Sequence, residues 1–116
     1  MAQRNMEGVQ IVTVALEEAQ WVVSLLGELD FATVSPVRAR LRTLDDRPVV
    51  LDLSGLTFTD STGLALLLEE SARARVRGTR FGIRGAGGQT LELLARTGVH
   101  AQLTGPAGVA GRAQPS

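Results

Sequence analysis

The fold is organised around Val49-Val50-Leu51-Asp52-Leu53-Ser54-Gly55, which a short connector joins to Thr59-Asp60-Ser61-Thr62-Gly63. Residues 49–53 are mostly β-branched or apolar with little polar alternation, which is typical of a strand buried on both faces of a sheet. Ser54-Gly55 predicts a turn after that strand. The Asp60-Ser61-Thr62 side chains can accept hydrogen bonds from the free N–H groups of a helix start. We therefore predict a central strand, a turn, and a helix with Asp60 or Ser61 as its N-cap.

The predicted helix ends near Arg77, and its residues divide into two sides. At about 100° per residue, one sector is expected to pack on the sheet; it contains Leu64, Leu67, Leu68, Ser71 and Ala72. Glu69 and Arg73 lie four residues apart on the opposite, solvent side, where they can pair. Leu66 points among these charged residues, so we predict that it is exposed. An exposed leucine one turn from Ser61 is a candidate contact residue, although a single exposed leucine often has no function.

The rest of the chain supplies the other elements of an α/β domain. Residues 9–16 and 21–26 predict a β-hairpin. Ser35-Pro36 predicts a helix start with Ser as cap, residues 80–84 predict a strand, and residues 91–98 a short helix. Residues 99–104 predict a last edge strand. The order gives a small single α/β domain, with a mixed four- to five-stranded sheet packed with helices, over residues 1–104. The Gly/Ala-rich residues 105–116 predict a disordered tail.

The composition excludes several classes of function. The charge is balanced, with 12 acidic and 12 basic residues, so the basic surplus of a nucleic-acid-binding protein is absent. All 12 basic residues are arginine and there is no cysteine, which argues against a phosphate-binding loop with its lysine, a Schiff-base enzyme and a structural zinc site. We expect no cofactor and no metal. The start lacks an apolar signal segment and no window approaches about 20 apolar residues, so we expect a soluble cytoplasmic protein without membrane contact.

Ser61 is the residue with the clearest chemical potential. At a helix N-terminus, the dipole and free N–H groups would stabilise a phosphate added to its hydroxyl; helix capping alone is the alternative explanation. Gly27-Glu28-Leu29-Asp30 places two carboxylates near a strand end, where ligands of α/β sheets bind, or forms a solvated loop. A hydrolase using Ser61 would lack a base. Asp52 is expected to bond to neighbouring backbone or to emerge at the sheet edge rather than to belong to the site.

Three segments together resemble the STAS domain, the family of anti-sigma factor antagonists. They are Gly27-Glu28-Leu29-Asp30, Val50-Leu51-Asp52-Leu53-Ser54-Gly55-Leu56 and Phe58-Thr59-Asp60-Ser61-Thr62-Gly63-Leu64, and the resemblance covers about residues 9–104. It implies a small α/β domain that is not an enzyme. Such a domain binds a serine kinase that acts as an anti-sigma factor, which frees the sigma factor to bind RNA polymerase. The family's phosphorylated serine maps onto Ser61.

Two functions are compatible with this resemblance. In the first, the unphosphorylated chain binds the kinase through a surface containing Asp30, Asp60, Thr62, Gly63 and Leu66, phosphorylation of Ser61 releases it, and a phosphatase acting on phospho-Ser61 resets the switch. The chain is then expected to be monomeric when free. In the second, the chain is a non-switching STAS scaffold or a transport-associated domain in a larger assembly.

Overall fold

The sheet begins with a β-hairpin in the computed structural model of the protein, which describes residues 10–100 and 103. β1 (Gln10–Glu17) and β2 (Gln20–Leu29) run antiparallel. Glu18 and Ala19 between them both have left-handed backbones, with φ of 54° and 68°. A two-residue turn of this kind matches the right-handed twist of the strands that it joins. The predicted hairpin is confirmed.

Two further strands extend the sheet in parallel. α1 (Val34–Arg42) leads to β3 (Val49–Thr59), α2 (Ser61–Arg77) leads to β4 (Phe81–Arg84), and α3 (Gly88–Arg96) follows. The strand order is β1-β2-β3-β4, with β3 parallel to β2 and β4 parallel to β3. The predicted α/β class with a mixed sheet is confirmed, and the sheet has four strands within the described residues. Within residues 10–100 and 103, none of the helices has the length and hydrophobicity that a membrane span requires.

β3 is longer than the sequence indicates. The turn predicted at Ser54-Gly55 is wrong, because the strand continues to Thr59 with two register shifts against β2. A Cβ atom on Gly55 would lie 2.5 Å from the carbonyl oxygen of Leu25. Gly55 is therefore needed for the close approach of two strands rather than for a turn.

The core lies mainly between one sheet face and the helices. Among the described residues, its buried side chains include members of β2, β3, β4, α1, α2 and α3, such as Val23, Leu25, Leu51, Leu53, Val37, Leu41, Leu66, Leu67, Ile83 and Leu94. Val22 and Val50 form a separate buried pair, which alternation along a strand places on the opposite sheet face. The central strand is thus buried on both faces, as predicted.

α2 turns a different side toward the core from the predicted one. Leu64 and Leu67 are buried as expected, but Ala72 is exposed and Glu70 is only 5% exposed. Leu66 is 0% exposed, so its predicted exposure is wrong. The buried side of α2 is therefore rotated about the helix axis relative to the predicted one. The prediction was wrong because it placed every charged residue of α2 in solvent.

Ion pairs between α1 and α2 explain this rotation. Buried Glu70 lies 3.4 Å from Arg42 of α1, and Glu69 lies 2.8 Å from the same guanidinium. Arg73 contacts Asp45, beyond the end of α1, at 2.6 Å. Buried charges are tolerated when they are paired in this way. The pair predicted between Glu69 and Arg73 does not form among the described residues, since both side chains have partners on another segment.

α1 begins earlier than Ser35-Pro36 predicts. Its first residue is Val34 and its N-cap is Thr33. Pro36 therefore lies in the first turn, where a helical residue needs no backbone donor. The predicted cap at Ser35 is wrong because Thr33 closes the preceding loop.

Asp52 makes local bonds and takes no part in the strand-end site described below. Its Oδ1 accepts hydrogen bonds from the Ser54 amide at 3.0 Å and hydroxyl at 2.6 Å, and its Oδ2 from Arg84 at 3.1 Å. Partial burial raises the pKa of Asp52, but Ser54 and Arg84 outweigh it, so this pKa lies below its ordinary value. The expectation that Asp52 bonds to neighbouring backbone is confirmed.

The edge strand predicted over residues 99–104 is wrong where the chain is described. His100 and Leu103 are helical, Leu103 is fully buried, and its N–H donates to the carbonyl oxygen of Val99 at 3.2 Å. That four-residue spacing is the bond of a helix rather than of a strand. The predicted tail at residues 105–116 lies outside the described residues.

Candidate functional site

The carboxyl ends of β2 and β3 meet at one edge of the sheet. Leu29 pairs with Thr59, so Asp30 and Asp60, the residues that follow, leave the sheet side by side. The Asp60 amide donates to the Leu29 carbonyl oxygen at 3.3 Å. The ends of parallel strands are where α/β sheets place their ligands. The structure thus brings together the two acidic residues that the sequence suggested separately.

The Asp60 carboxylate fixes both loops at this edge. Its Oδ1 accepts a hydrogen bond from the Gly63 amide at 2.9 Å, which makes Asp60 the N-cap of α2. Its Oδ2 accepts a hydrogen bond from the Phe31 amide at 3.1 Å. One side chain therefore holds the start of α2 against the loop between β2 and α1. Of the two predicted caps, Asp60 is the one observed.

The loop between β2 and α1 is closed by Asp30 and Thr33. The Thr33 hydroxyl oxygen accepts from the Asp30 amide at 2.9 Å and lies 2.8 Å from the Glu28 carbonyl oxygen, to which it donates. The Asp30 carboxylate accepts from the Ala32 amide at 3.0 Å. These local bonds are typical of short Asp and Thr turns. Asp30 is held in a defined position, half-buried at the rim of the site.

Ser61 presents its hydroxyl to solvent at the start of α2. It is the first residue of the helix and is exposed, whereas Thr62 is half-buried. The Ser61 hydroxyl forms no hydrogen bond with any residue in the described part of the chain, and neither do the backbone N–H groups of Ser61 and Thr62. A helix N-terminus with free N–H groups favours a bound negative charge. The arrangement can therefore accommodate a phosphate on Ser61.

Two of the predicted contact residues, Gly63 and Leu66, are buried and have structural roles. Gly63 is buried, and a Cβ atom there would lie 2.4 Å from the Leu29 carbonyl oxygen and 2.9 Å from Thr59 Cγ2. Gly63 therefore allows α2 to start directly against β2. Leu66 has no exposed surface that a partner could touch. Of the five residues predicted to contact a partner, Asp30, Asp60 and Thr62 keep accessible surface at the site.

α3 supports the site in a way that the sequence does not reveal. The Gln89 side-chain amide accepts from the Thr59 backbone N–H and donates to the Thr59 carbonyl oxygen, both at 2.8 Å. It thus replaces a neighbouring strand where β4 has already ended. The Thr90 and Thr59 hydroxyls are 2.8 Å apart in a buried pair. Gln89 and Thr90, which lie 30 and 31 positions after Thr59, therefore hold the backbone that leads into Asp60.

Gln89→Ala is expected to lower the free energy of unfolding by about 2 kcal/mol, since the two backbone groups of buried Thr59 each lose a hydrogen-bond partner at about 1 kcal/mol. Chemical denaturation would measure this change. Arg96→Ala is the matched control: its side chain is exposed on the same helix, and we expect a change within about 0.5 kcal/mol. Equal stability of both variants would show that the Gln89 bonds to Thr59 do not hold the end of β3.

The electrostatic character of the site is negative. Glu28, Asp30 and Asp60 lie at this edge, and none of the three forms an ion pair within residues 10–100 or with residue 103. The arginines with ion pairs bind carboxylates elsewhere, above all between α1 and α2. We call the patch formed by Glu28, Asp30, Phe31, Asp60 and Ser61 the strand-end surface. No group of residues suited to holding a metal ion occurs in the described part of the chain.

Comparisons with known proteins agree with this architecture. A family model described as "Mlab, STAS domain" matches residues 12–105. Among solved structures, the unphosphorylated anti-sigma factor antagonist SpoIIAA is 23% identical with a TM-score of 0.65, covering 80% of this chain and 83% of its own. An anti-sigma factor antagonist from Mycobacterium paratuberculosis is 22% identical with a TM-score of 0.70, covering 85% of each chain.

A third similar structure comes from a different functional context. A sulfate transporter family protein from Wolinella succinogenes is 18% identical with a TM-score of 0.66, covering 80% of this chain and 78% of its own. None of the curated proteins matches the sequence significantly. At these levels of identity, the three structures demonstrate a shared fold.

Proposed function

Because this chain belongs to the STAS domain family, we propose that it is an anti-sigma factor antagonist controlled by phosphorylation of Ser61. The unphosphorylated form binds a serine kinase that acts as an anti-sigma factor, and this frees the sigma factor. Phosphorylation of Ser61 by the kinase ends the binding. STAS domains are regulatory binding domains rather than enzymes, and two of the similar structures are anti-sigma factor antagonists.

The observation that carries the proposal is the position of the Ser61 hydroxyl. It is exposed at the first residue of α2, next to a cap whose carboxylate is already engaged by the Gly63 and Phe31 amides. A kinase can therefore reach the hydroxyl without unfolding the helix start. The free N–H groups there stabilise the phosphate, so the product keeps the fold.

Electrostatic repulsion explains release. The phosphate adds a charge of about −1.5 to −2 next to Asp60. A kinase bound for transfer to Ser61 holds its nucleotide phosphates in line with this hydroxyl, so the phosphorylated product faces them with like charge. Like charges across an interface cost several kcal/mol. Since about 1.4 kcal/mol is a tenfold change in affinity, a cost of about 3 kcal/mol lowers affinity about a hundredfold.

The test is capture from a lysate of the native cells, with wild type, Ser61→Ala, Ser61→Asp and Ala72→Asp as baits. Ala72 is exposed on the same helix, so Ala72→Asp adds the same charge away from the site. We expect wild type, Ser61→Ala and Ala72→Asp to hold an ATP-binding, kinase-like protein and Ser61→Asp to lose it about a hundredfold. All four baits should melt at similar temperatures. Retention of the kinase by Ser61→Asp, or unfolding of that variant, would contradict the proposal.

A second candidate function is a scaffold or transport-associated domain whose serine is not phosphorylated. It is favoured by the structural similarity to a sulfate transporter family protein. The intact mass of the protein from its native cells separates the two functions. A fraction carrying one phosphate, absent from Ser61→Ala, supports the switch, and its absence under every growth condition supports the scaffold.

A further inference from the structure

Phe31 is an aromatic residue whose side chain is exposed to solvent at the strand-end surface. It is 80% exposed, although a phenylalanine normally buries most of its surface. Its backbone N–H is fixed by Asp60 Oδ2 at 3.1 Å. The loop on which it stands is closed by the Asp30 and Thr33 bonds. The fold therefore presents this ring on a defined backbone.

We propose that Phe31 is the apolar anchor by which the chain binds its kinase, and that the kinase supplies an apolar pocket bordered by basic side chains. The proposal rests on the proposed function and adds the binding surface. Aromatic side chains that fill a pocket near the centre of an interface carry much of its binding energy. Because the backbone of Phe31 is already fixed, binding orders little more than the ring itself.

Charge complementarity identifies the border of the pocket. Glu28 and Asp30 shortly precede Phe31 in the chain, and Asp60 accepts a hydrogen bond from the Phe31 amide; within the described residues none of these three carboxylates forms an ion pair. A partner that covered these three carboxylates without opposite charges would leave their net negative charge uncompensated, because the hydrogen bonds that Asp30 and Asp60 already accept come from neutral groups. Arginine or lysine on the part of the rim that faces Glu28 and Asp30 meets this requirement and orients the two proteins, whereas Ser61 faces the nucleotide phosphates that repel its phosphate.

The same contact connects the anchor to Ser61. Asp60 bonds to the Phe31 amide through one oxygen and to the Gly63 amide at the start of α2 through the other, so the backbone of Phe31 and the helix start that carries Ser61 are held next to each other. A kinase that binds Phe31 therefore has the Ser61 hydroxyl at a defined distance from the Phe31 backbone. Recognition and phosphorylation then use one rigid surface instead of two independent contacts.

Val76 provides a matched control. It is 88% exposed and lies near the end of α2, whereas Ser61 begins that helix. At 1.5 Å per residue these two positions are about 22 Å apart. A general effect of removing exposed apolar surface would affect Phe31→Ala and Val76→Ala alike, and an anchor would affect Phe31→Ala alone.

The experiment uses the kinase-like protein captured by the wild-type bait, purified and titrated by calorimetry with wild type, Phe31→Ala, Phe31→Leu, Val76→Ala and Ser61→Asp. We expect Phe31→Ala to weaken binding about thirtyfold or more, as hot-spot residues do, and Phe31→Leu to weaken it less. Val76→Ala should bind as wild type. Thermal melts should be unchanged by the Phe31 substitutions, because the ring is exposed and the bond to Asp60 comes from the backbone.

The outcomes separate the anchor from the switch. Binding of Phe31→Ala within about threefold of wild type overturns the anchor, whatever Ser61→Asp does. Weak binding by Phe31→Ala together with wild-type binding by Ser61→Asp supports the anchor and contradicts the phosphorylation switch. If the wild-type bait captures no kinase-like protein, both proposals are rejected.

Discussion

Leu66→Ala is expected to lower the free energy of unfolding by about 3 to 4 kcal/mol, as for other leucines removed from well-packed cores. Leu66 is 0% exposed and belongs to the core cluster shared by the sheet and the helices. The substitution removes the isopropyl group of the side chain and leaves a cavity that the neighbouring leucines fill only in part. Because single domains of this size are stabilised by about 5 to 15 kcal/mol, this loss is a large share of the total.

Val76→Ala is the control for this prediction, since it removes an apolar side chain from the same helix at a position that is 88% exposed. We expect its free energy of unfolding to stay within about 0.5 kcal/mol of wild type. Urea denaturation with unchanged slope would give both values. If Leu66→Ala instead kept full stability and bound the kinase more weakly, Leu66 would be the exposed contact residue that its position on a helical wheel suggests.

The order of elements could be predicted because it depends on local patterns. The apolar run at residues 49–53 correctly predicts β3, and the capping residues after it correctly predict the start of α2. Gly78 after α2 has φ of 79°, the left-handed cap that a glycine in this place predicts. These features involve residues within a few positions of one another, so the sequence contains what determines them.

The errors arise where distant contacts override local preference. Gly55 resembles a turn residue, yet its function depends on Leu25, which is 30 positions away and touches it across the sheet. Glu70 resembles a solvated charge, yet it is buried by its pairing with arginine on α1. A helical wheel drawn for α2 alone does not include Arg42, the partner of Glu70. This omission explains why the wheel places Leu66 wrongly on the exposed side of the helix.

The candidate site shows the same division. Asp60 and Ser61 were predicted because a helix start has a local signature. The supporting residues, Gln89 and Thr90, contact β3 from 30 or 31 positions away and have no motif of their own. The exposure of Phe31 was also not predicted, since a single phenylalanine in a loop can be either buried or exposed.

Gly63→Ala is expected to lower the free energy of unfolding by about 3 kcal/mol. In an open helix position, alanine would be more favourable than glycine by up to about 1 kcal/mol. Here the added Cβ would lie 2.4 Å from the Leu29 carbonyl oxygen and 2.9 Å from Thr59 Cγ2. A backbone oxygen cannot rotate away as a side chain can, so the start of α2 must move from β2, and overpacking of this kind costs about 1 to 3 kcal/mol or more.

This movement would also disturb the phosphorylation site. The Asp60 carboxylate is bonded to the Gly63 amide at 2.9 Å and to the Phe31 amide at 3.1 Å. Displacing α2 lengthens one or both bonds, so hydrogen exchange of these two amides should accelerate in Gly63→Ala when measured by NMR. The control is Gly87→Ala: Gly87 has nothing within 4 Å of its Cβ position, and as an N-cap it should lose no more than about 1 kcal/mol.

The pair of variants decides what the glycine contributes to function. If Gly63→Ala is destabilised, exchanges the Phe31 amide faster and binds the kinase more weakly than Gly87→Ala, then close packing of α2 on β2 places Ser61 and the Phe31 ring for recognition. Stability and exchange equal to those of wild type would show that α2 can start at a greater distance from β2. In that case Asp60 alone, without Gly63, would be sufficient to position the strand-end surface.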